Sequence, residues 1–489
     1  MQFSPECGTN ISPLNVPKEK PQMNISYLSA IRNYISQNRG LIDETLSRLV
    51  KIPSVRSAPE PGAPYGRHCA AALAEAEKIY RENGFETDLH QNSGYLISSY
   101  GKGKSIGIFA HADVVPTGDG WTLAEPFSAD IRDGFMVGRG TGDDKAGIII
   151  SLLAAKAIRE LDLPFSSRLV MFTGNNEESG MGDIKAFTKE QPMPEVSIIA
   201  DAAFPVYRGE KSFMRFYAVS REKFASVVEF QGGSDAFNIV AGKAHASFDR
   251  ELNLEEFDGE PDLTLSDDKR TLYAKGISAH AALPDGSKNA VRILSAALAD
   301  CEQLPECDRN IFKRISAILG NYGEGLNIEG NSEIFGKTTS ATGIAKMRDN
   351  RAVVSFDVRF APEFDSAEML GKIRRRLNEL GFDLELVEND RGFFIGDDDE
   401  SLRRLLAAYG ECTGNPAPKP QINAGATYAR YLKNAFGIGS YCWHNPPFGL
   451  PAGHGGCHQP DEYVSLDGIA DAAAILTFML LRLDGRLAE

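Results

Sequence analysis

Long hydrophobic runs are missing from this chain of 489 residues, and no apolar stretch approaches the ~20 residues needed to cross a bilayer. The first 24 residues also lack the apolar core of roughly 7–15 residues that marks a secretory signal, so a cytoplasmic location is the default expectation. Cysteine is scarce: the seven (Cys7, Cys69, Cys301, Cys307, Cys412, Cys442 and Cys457) are odd in number and widely spaced, and none forms a Cys-x-x-Cys pair. That excludes a disulfide framework and a thiolate zinc site, and it suits a reducing compartment. Basic charge is in deficit, with 52 Lys+Arg against 67 Asp+Glu and a net charge of −15, which argues against electrostatic binding to nucleic acid or anionic lipid. Internal repeats and low-complexity blocks are absent. What remains is a composition 42% hydrophobic and 24% charged, ordinary for a soluble globular protein and long enough for two to four domains. The acidic excess is either a solvated surface or, in part, carboxylates gathered around metal, and the positions of the acids decide between these.

Residues 1–24 read as a disordered tail. Apolar spacing predicts helix over 27–52 and again over 68–83. Short apolar strands then alternate with helical runs: SIGIFA (105–110), the helix 145–161, SRLVMFTGN (167–175) and VSIIAD (196–201). This alternation predicts an α/β layer with a mainly parallel sheet, whose chemistry gathers at the carboxyl ends of the strands. After about residue 210 amphipathic strands dominate (FMRFYAVS, FASVVEFQGG, KRTLYAKGI, RAVVSFDVRF), with helices such as NAVRILSAALADCEQL between them. From about 393 the first style returns. The expected architecture is a catalytic domain in two pieces, 25–211 and 393–489, interrupted by an α+β domain over 212–392. The acidic run 397–400 suits a helix N-terminus.

Five short motifs carry chemistry. SIGIFA runs into His111-Ala112-Asp113, and alternate strand residues share a face. His111 and Asp113 can therefore address one site, the carboxylate orienting the imidazole toward a metal; a turn that merely holds both is the alternative. Asp143 and Asp144 follow a glycine-rich segment and precede Lys145, without a P-loop or Gly-x-Gly-x-x-Gly pattern; they either serve a site or cap the helix. Glu177 and Glu178 follow a buried strand, where neighbouring like charges need a cation or a proton to compensate. Asp201 closes VSIIA, and His458 lies in CHQPDEY. Imidazoles and carboxylates without thiolate suit one or two zinc-like ions. Two ions roughly 3.5–4 Å apart need a bridging carboxylate, and a further carboxylate off the metal must take the water's proton.

HADVVP, GRGTGDDKAG, NNEESG, ADAAFPVYRGEKS and CHQPDEYV, in this order, closely resemble the M20 family of metallopeptidases, and within it the bacterial dipeptidases of the PepV type. The resemblance covers roughly residues 27–489. It implies a zinc-exopeptidase-like catalytic domain with an inserted lid, and two Zn²⁺ per chain, with Mn²⁺ or Co²⁺ as substitutes. Carried over by motif, Asp143, Glu178 and His458 would hold one ion and His111, Asp143 and Asp201 the other. Glu177 matches the general base and Asp113 the acid that orients His111. In the family, Asp rather than Glu at position 201 accompanies substrates with a free amine. Gly276-Ile-Ser-Ala-His280 resembles a motif whose imidazole stabilises the oxyanion, with Asn238 assisting. Arg359 resembles the residue that fixes the substrate's terminal carboxylate through a bidentate pair.

The insert of about 181 residues (212–392) is longer than the lid of dimeric relatives, which implies a monomer. Two departures stand out: Asn-x-Val-Pro is Asn238-Ile-Val-Ala241 here, and Gly-Gly-Thr-Tyr-Ala-Arg is Gly425-Ala426-Thr427-Tyr428-Ala429-Arg430. The second lies where relatives place backbone beside substrate, so an added methyl narrows that pocket. The implied activity is cleavage of short peptides, most of all dipeptides. The rivals are deacylation or desuccinylation of N-acylated amino acids and, from another class, non-catalytic peptide or metal binding. His68, His90 and His245 read as surface or structural residues, while His444 and His454 flank PPFGLPAG close to His458.

Overall fold

The computed structural model describes residues 21–233, 236–253, 257, 260–441, 445–451 and 453–488. They form two compact units: the chain up to Arg208 with Ile395–Gln421 and Thr427 onward, and Gly209–Phe394 with Ile422–Ala426.

The first unit is built on a mixed sheet whose centre is parallel. In spatial order it runs Glu86–His90, Tyr95–Tyr100, Arg168–Gly174, Ser105–His111, Val196–Ala203 and Ala435–Tyr441. The last four run parallel, and the first two pair antiparallel at one edge. Alternation divides the central strands between two faces. Ile106, Ile108, Ala110, Leu169, Met171, Ile198 and Ala200 join a core with the helices Lys145–Glu160, Glu400–Thr413 and Leu466–Ala488. On the other face Phe109 and Phe172 pack against Tyr95, Phe187 of helix Gly182–Glu190 and, through Phe172, Tyr428. Apolar on both sides, these strands carry the near-continuous hydrophobic runs of a covered parallel sheet.

Two expectations need correction. The helical spacing over 27–52 belongs to two helices, Pro21–Gln37 and Arg39–Val50. Asn38 separates them at φ −99°, ψ 17°, its side-chain amide donating to the Tyr34 carbonyl at 2.8 Å. That is the local competition with backbone bonding by which Asn ends helices. The first helix also takes in Pro21–Asn24, within the span expected to be a disordered tail; residues 1–20 lie outside the described ones. The acidic run does start a helix: Asp399 is the N-cap of Glu400–Thr413 and accepts from the Leu402 N–H at 2.9 Å.

The second unit is α+β. Its antiparallel sheet runs Leu263–Leu265, Thr271–Lys275, Lys243–Phe248, Val227–Gly233, Ile344–Arg348, Arg351–Phe360, Ser212–Ser220 and Phe382–Asp390. Helices Ala290–Asp300, Glu306–Ile318 and Ser366–Glu379 share a core with one face of it, through Phe216, Phe230, Phe312, Val354 and Phe356.

Candidate metal centre

Three parallel strands of the first unit end at one edge of the sheet, and each delivers polar side chains there. His111 is level with Gly174, so Asn175–Glu178 follow beside it, and the pairing of Phe109 with Ile199 sets Asp201 level with His111 two residues further on. The glycine-rich segment before helix Lys145–Glu160 brings Asp143 and Asp144 to the same edge, and His458 arrives from the loop ahead of the last helix with its backbone in the left-handed region, φ +63°.

His111 is fully buried, and both ring nitrogens are engaged. Nδ1 lies 3.0 Å from the Asp113 carbonyl oxygen and 3.4 Å from Asp113 Oδ1; Nε2 lies 3.1 Å from Asp143 Oδ1 and 3.7 Å from Asp201 Oδ2. The Asp113 carboxylate also accepts the backbone N–H groups of Glu177 and Glu178 at 3.1 and 3.2 Å, so the acid beside His111 fixes the turn at the neighbouring strand end as well. Asp143 Oδ2 stands 3.1 Å from His458 Nε2, which in turn lies 3.2 Å from Glu178 Oε1. Ligand atoms of His111, Asp143 and Glu178 fall within 4.8 Å of one another, as do those of His111, Asp144 and Asp201.

Asp144 has no ligand role in the motif resemblance, and capping was one alternative for the acid pair. It occupies the N-cap position, but its side chain makes no capping bond. Its Oδ2 accepts the His111 N–H at 3.2 Å, and its buried Oδ1 has no partner.

Without a cation this cluster is electrostatically frustrated. Burial raises the carboxyls of Glu177, Glu178 and Asp201, reinforced by their negative neighbours, including Asp143 for Glu178 and Asp201. Burial together with Asp201 raises Asp144 likewise. Asp143 goes the other way: burial opposes its charge, but contacts with His111 and His458 hold it well below the usual carboxylate range. Both imidazoles are drawn upward by the acids against the effect of burial, His458 to about 11. Lys145 brings little compensation, because burial lowers its amine to about 7 and Nζ donates to the Ile52 carbonyl at 2.9 Å. The buried Glu177 Oε1 has no hydrogen-bond partner. An oxygen- and nitrogen-donor set of this kind, over-supplied with negative charge and holding unpaired buried oxygens, fits divalent cations of the zinc class.

The supporting residues were mostly invisible in the sequence. Glu462 Oε1 accepts the N–H groups of Gly140, Gly142 and Asp143 at 3.1, 3.0 and 3.2 Å, while Oε2 pairs with Arg139 Nη1 at 2.5 Å. Asp461 holds the Thr122 and Leu123 N–H groups at 2.8 and 2.9 Å, the Thr122 hydroxyl at 2.6 Å and His454 Nδ1 at 2.7 Å. Asp183 accepts from the N–H groups of Asn175 and Asn176 and from the Tyr428 hydroxyl, which fixes the segment just before Glu177; burial pushes its carboxyl to about 6. His444 lies outside the described residues.

The remaining candidates belong to the second unit. Asn238 and His280 are brought together there: Ile239 and His280 form a β-bridge, and the Ala281 N–H donates to the Asn238 carbonyl at 2.8 Å. Arg359 is buried beside Asp357. The Gly425 N–H donates to Asn423 Oδ1 at 2.8 Å. Two grooves of about 410 Å³ on the same unit are lined by residues such as His245, Tyr273 and Lys346 and contain none of these candidates.

A carboxylate–imidazole centre at the carboxyl edge of a mainly parallel sheet, with a separate α+β unit inserted in the chain, is the frame of a metal-dependent hydrolase. The description of peptidase family M20/M25/M40 matches residues 107–482, and the chain belongs to that family. It is 28% identical over 480 residues to the Staphylococcus saprophyticus protein named "Putative dipeptidase SSP1012", covering 92% of this chain and 99% of that one. It is also 28% identical to Bacillus subtilis "Putative dipeptidase YtjP", over 90% and 96% of the two chains. The solved structure of the di-peptidase Dug1p from Saccharomyces cerevisiae shares the fold, with a TM-score of 0.58 and 14% identity over 94% of this chain and 98% of that one. Among the described residues no helix is long and apolar enough to cross a membrane.

Proposed function

We propose that this protein is a di-zinc dipeptidase, monomeric and cytoplasmic, that cleaves short peptides with a free amino terminus. The observation that supports this most is the placement of Asp143 between two imidazoles, one carboxylate oxygen 3.1 Å from each. A bridging acid has to offer its two oxygens to two ions in this way. Asp143, Glu178 and His458 would hold one ion and His111, Asp143 and Asp201 the other, with Asp144 close to the second set. Bound there, the ions would supply an activated water and polarise the scissile carbonyl.

The chain's own groups do the rest. Asp113 holds His111 in orientation through Nδ1 and fixes the Glu177 backbone. Glu177, with its unpaired Oε1, accepts the proton of the attacking water and returns it to the leaving amine nitrogen as the C–N bond breaks. The roles of His280 and Asn238 at the oxyanion, of Arg359 at the substrate carboxylate and of Gly425 beside the substrate backbone rest on motif resemblance.

A panel of free-amine dipeptides set against N-acetyl and N-succinyl amino acids tests the assignment. Turnover of the dipeptides with little of the acylated compounds is expected. The reverse pattern would make the protein a deacylase, and no turnover of either by the metal-loaded protein would support the non-catalytic alternative.

A further inference from the structure

The strand Arg351–Phe360 divides its side chains between two faces. Val354, Phe356, Val358 and Phe360 enter the core with the helices, so Asp357 and Arg359 share the opposite face. Both are nonetheless buried, 0% and 3% exposed. Arg359 Nε donates to Asp357 Oδ1 at 2.5 Å and Nη2 donates to Oδ2 at 3.0 Å. Arg215, on the neighbouring strand, donates from Nε to the same Oδ2 at 3.0 Å and from Nη1 to Glu388 at 3.1 Å. Both guanidinium carbons lie 4.8 Å from the centroid of the Phe213 ring, which leaves the Arg359 plane little freedom to turn.

The Nε/Nη2 edge of a guanidinium is one of those that can engage a carboxylate with two parallel N–H groups. In Arg359 Asp357 takes that edge. Nη1, at the opposite end, is buried and has no hydrogen-bond partner. A buried, unpaired donor is rare in a finished fold and is relieved when a ligand brings an acceptor.

We propose that Asp357 is a positioning residue for substrate recognition. By filling the Nε/Nη2 edge it presents only the Nη1 end of Arg359, so a peptide's terminal carboxylate is held end-on. Arg215 and Phe213 buttress the pair. The inference rests on the reading of Arg359 as the carboxylate-binding residue and adds how that residue is aimed.

The experiment compares kcat and KM for a dipeptide and for the same dipeptide as its C-terminal amide. Arg359→Met should lower the dipeptide-to-amide ratio of kcat/KM by about thirtyfold, the loss lying in KM. Asp357→Asn should lower the same ratio by about fivefold, again through KM, and should add nothing to it in an Arg359→Met background, since it acts through that residue. An Asp357→Asn variant that slows both substrates equally, or neither, overturns the positioning role. A ratio unmoved by Arg359→Met overturns instead the reading on which it rests. Should Asp357→Asn fail to fold, Arg215→Met carries the test. Removing the third bond to Asp357 should then lower the ratio by about threefold, and an unchanged ratio refutes the proposal.

Discussion

Replacing Glu462 by Gln perturbs one carboxylate on which the loop carrying Asp143 depends. Gln keeps one oxygen for the N–H groups of Gly140, Gly142 and Asp143, but turns an NH₂ donor toward Arg139 Nη1. Both side chains are 1% exposed, and the guanidinium is left with the carbonyls of Pro116 and Thr117 at 3.4 and 3.2 Å. Breaking a buried ion pair on one side costs about 3–5 kcal/mol, because the other charge stays buried and uncompensated. At about 2–4 °C per kcal/mol for a unit of this size, the melting temperature should fall by about 10 °C. The double variant Arg139→Met/Glu462→Gln should recover most of the loss, since it removes the guanidinium that the single variant leaves buried and uncompensated. Thermal and urea unfolding followed by circular dichroism for the wild type, both single variants and the double variant gives the coupling directly. A loss below about 1 kcal/mol for Glu462→Gln, or no coupling to Arg139, would refute the reasoning.

Gly147→Ala should destabilise although alanine is the better helix former, because its Cβ would stand 2.4 Å from Asp144 Oδ1 and 2.6 Å from the Ala200 carbonyl; a loss of about 1–3 kcal/mol in urea unfolding is expected. Burial opposes the charge of Asp461, but its bonds to Thr122, Leu123 and His454 hold its carboxyl at about 2, below its unfolded value of 3.8. Its contribution, about 2 kcal/mol, is thus fully present above pH 4 and lost as pH falls through 2. Asp461→Asn should flatten the pH dependence of stability in that window and leave the slope above pH 5 unchanged. Chelation should lower the melting temperature, since ions held at about a hundred times their dissociation constant contribute about 2.7 kcal/mol; unchanged melting after metal is stripped would count against a cation at the cluster.

The strands and the outer motifs were legible because their signals are local. A run such as SIGIFA ending in His111-Ala112-Asp113 contains both the strand and the polar pair at its end, and the parallel pairing of three such strands brings their ends together without further information. What escaped the sequence depends on distant partners. Glu462 organises a glycine-rich segment about 320 residues away, and Asp183 meets Tyr428 across 245 residues. Neither pairing has a local mark, although an acid beside a motif histidine and a lone aspartate at the head of a helix were hints. Asp144 was hidden by chemistry of its own: an acid ahead of a helix has an ordinary capping explanation, and only its unpaired oxygen and its bond to His111 remove it. The break at Asn38 was missed because apolar spacing continues across it, while the side-chain bond that ends the helix leaves no periodic trace.

The two-ion centre we propose is served by a carboxylate that does not bind the ions. Glu177→Ala, purified with zinc and analysed for metal content and dipeptide turnover together, tests it most directly. Close to two ions per chain with hydrolysis abolished is expected; turnover retained, or metal lost along with activity, would overturn the two-ion mechanism.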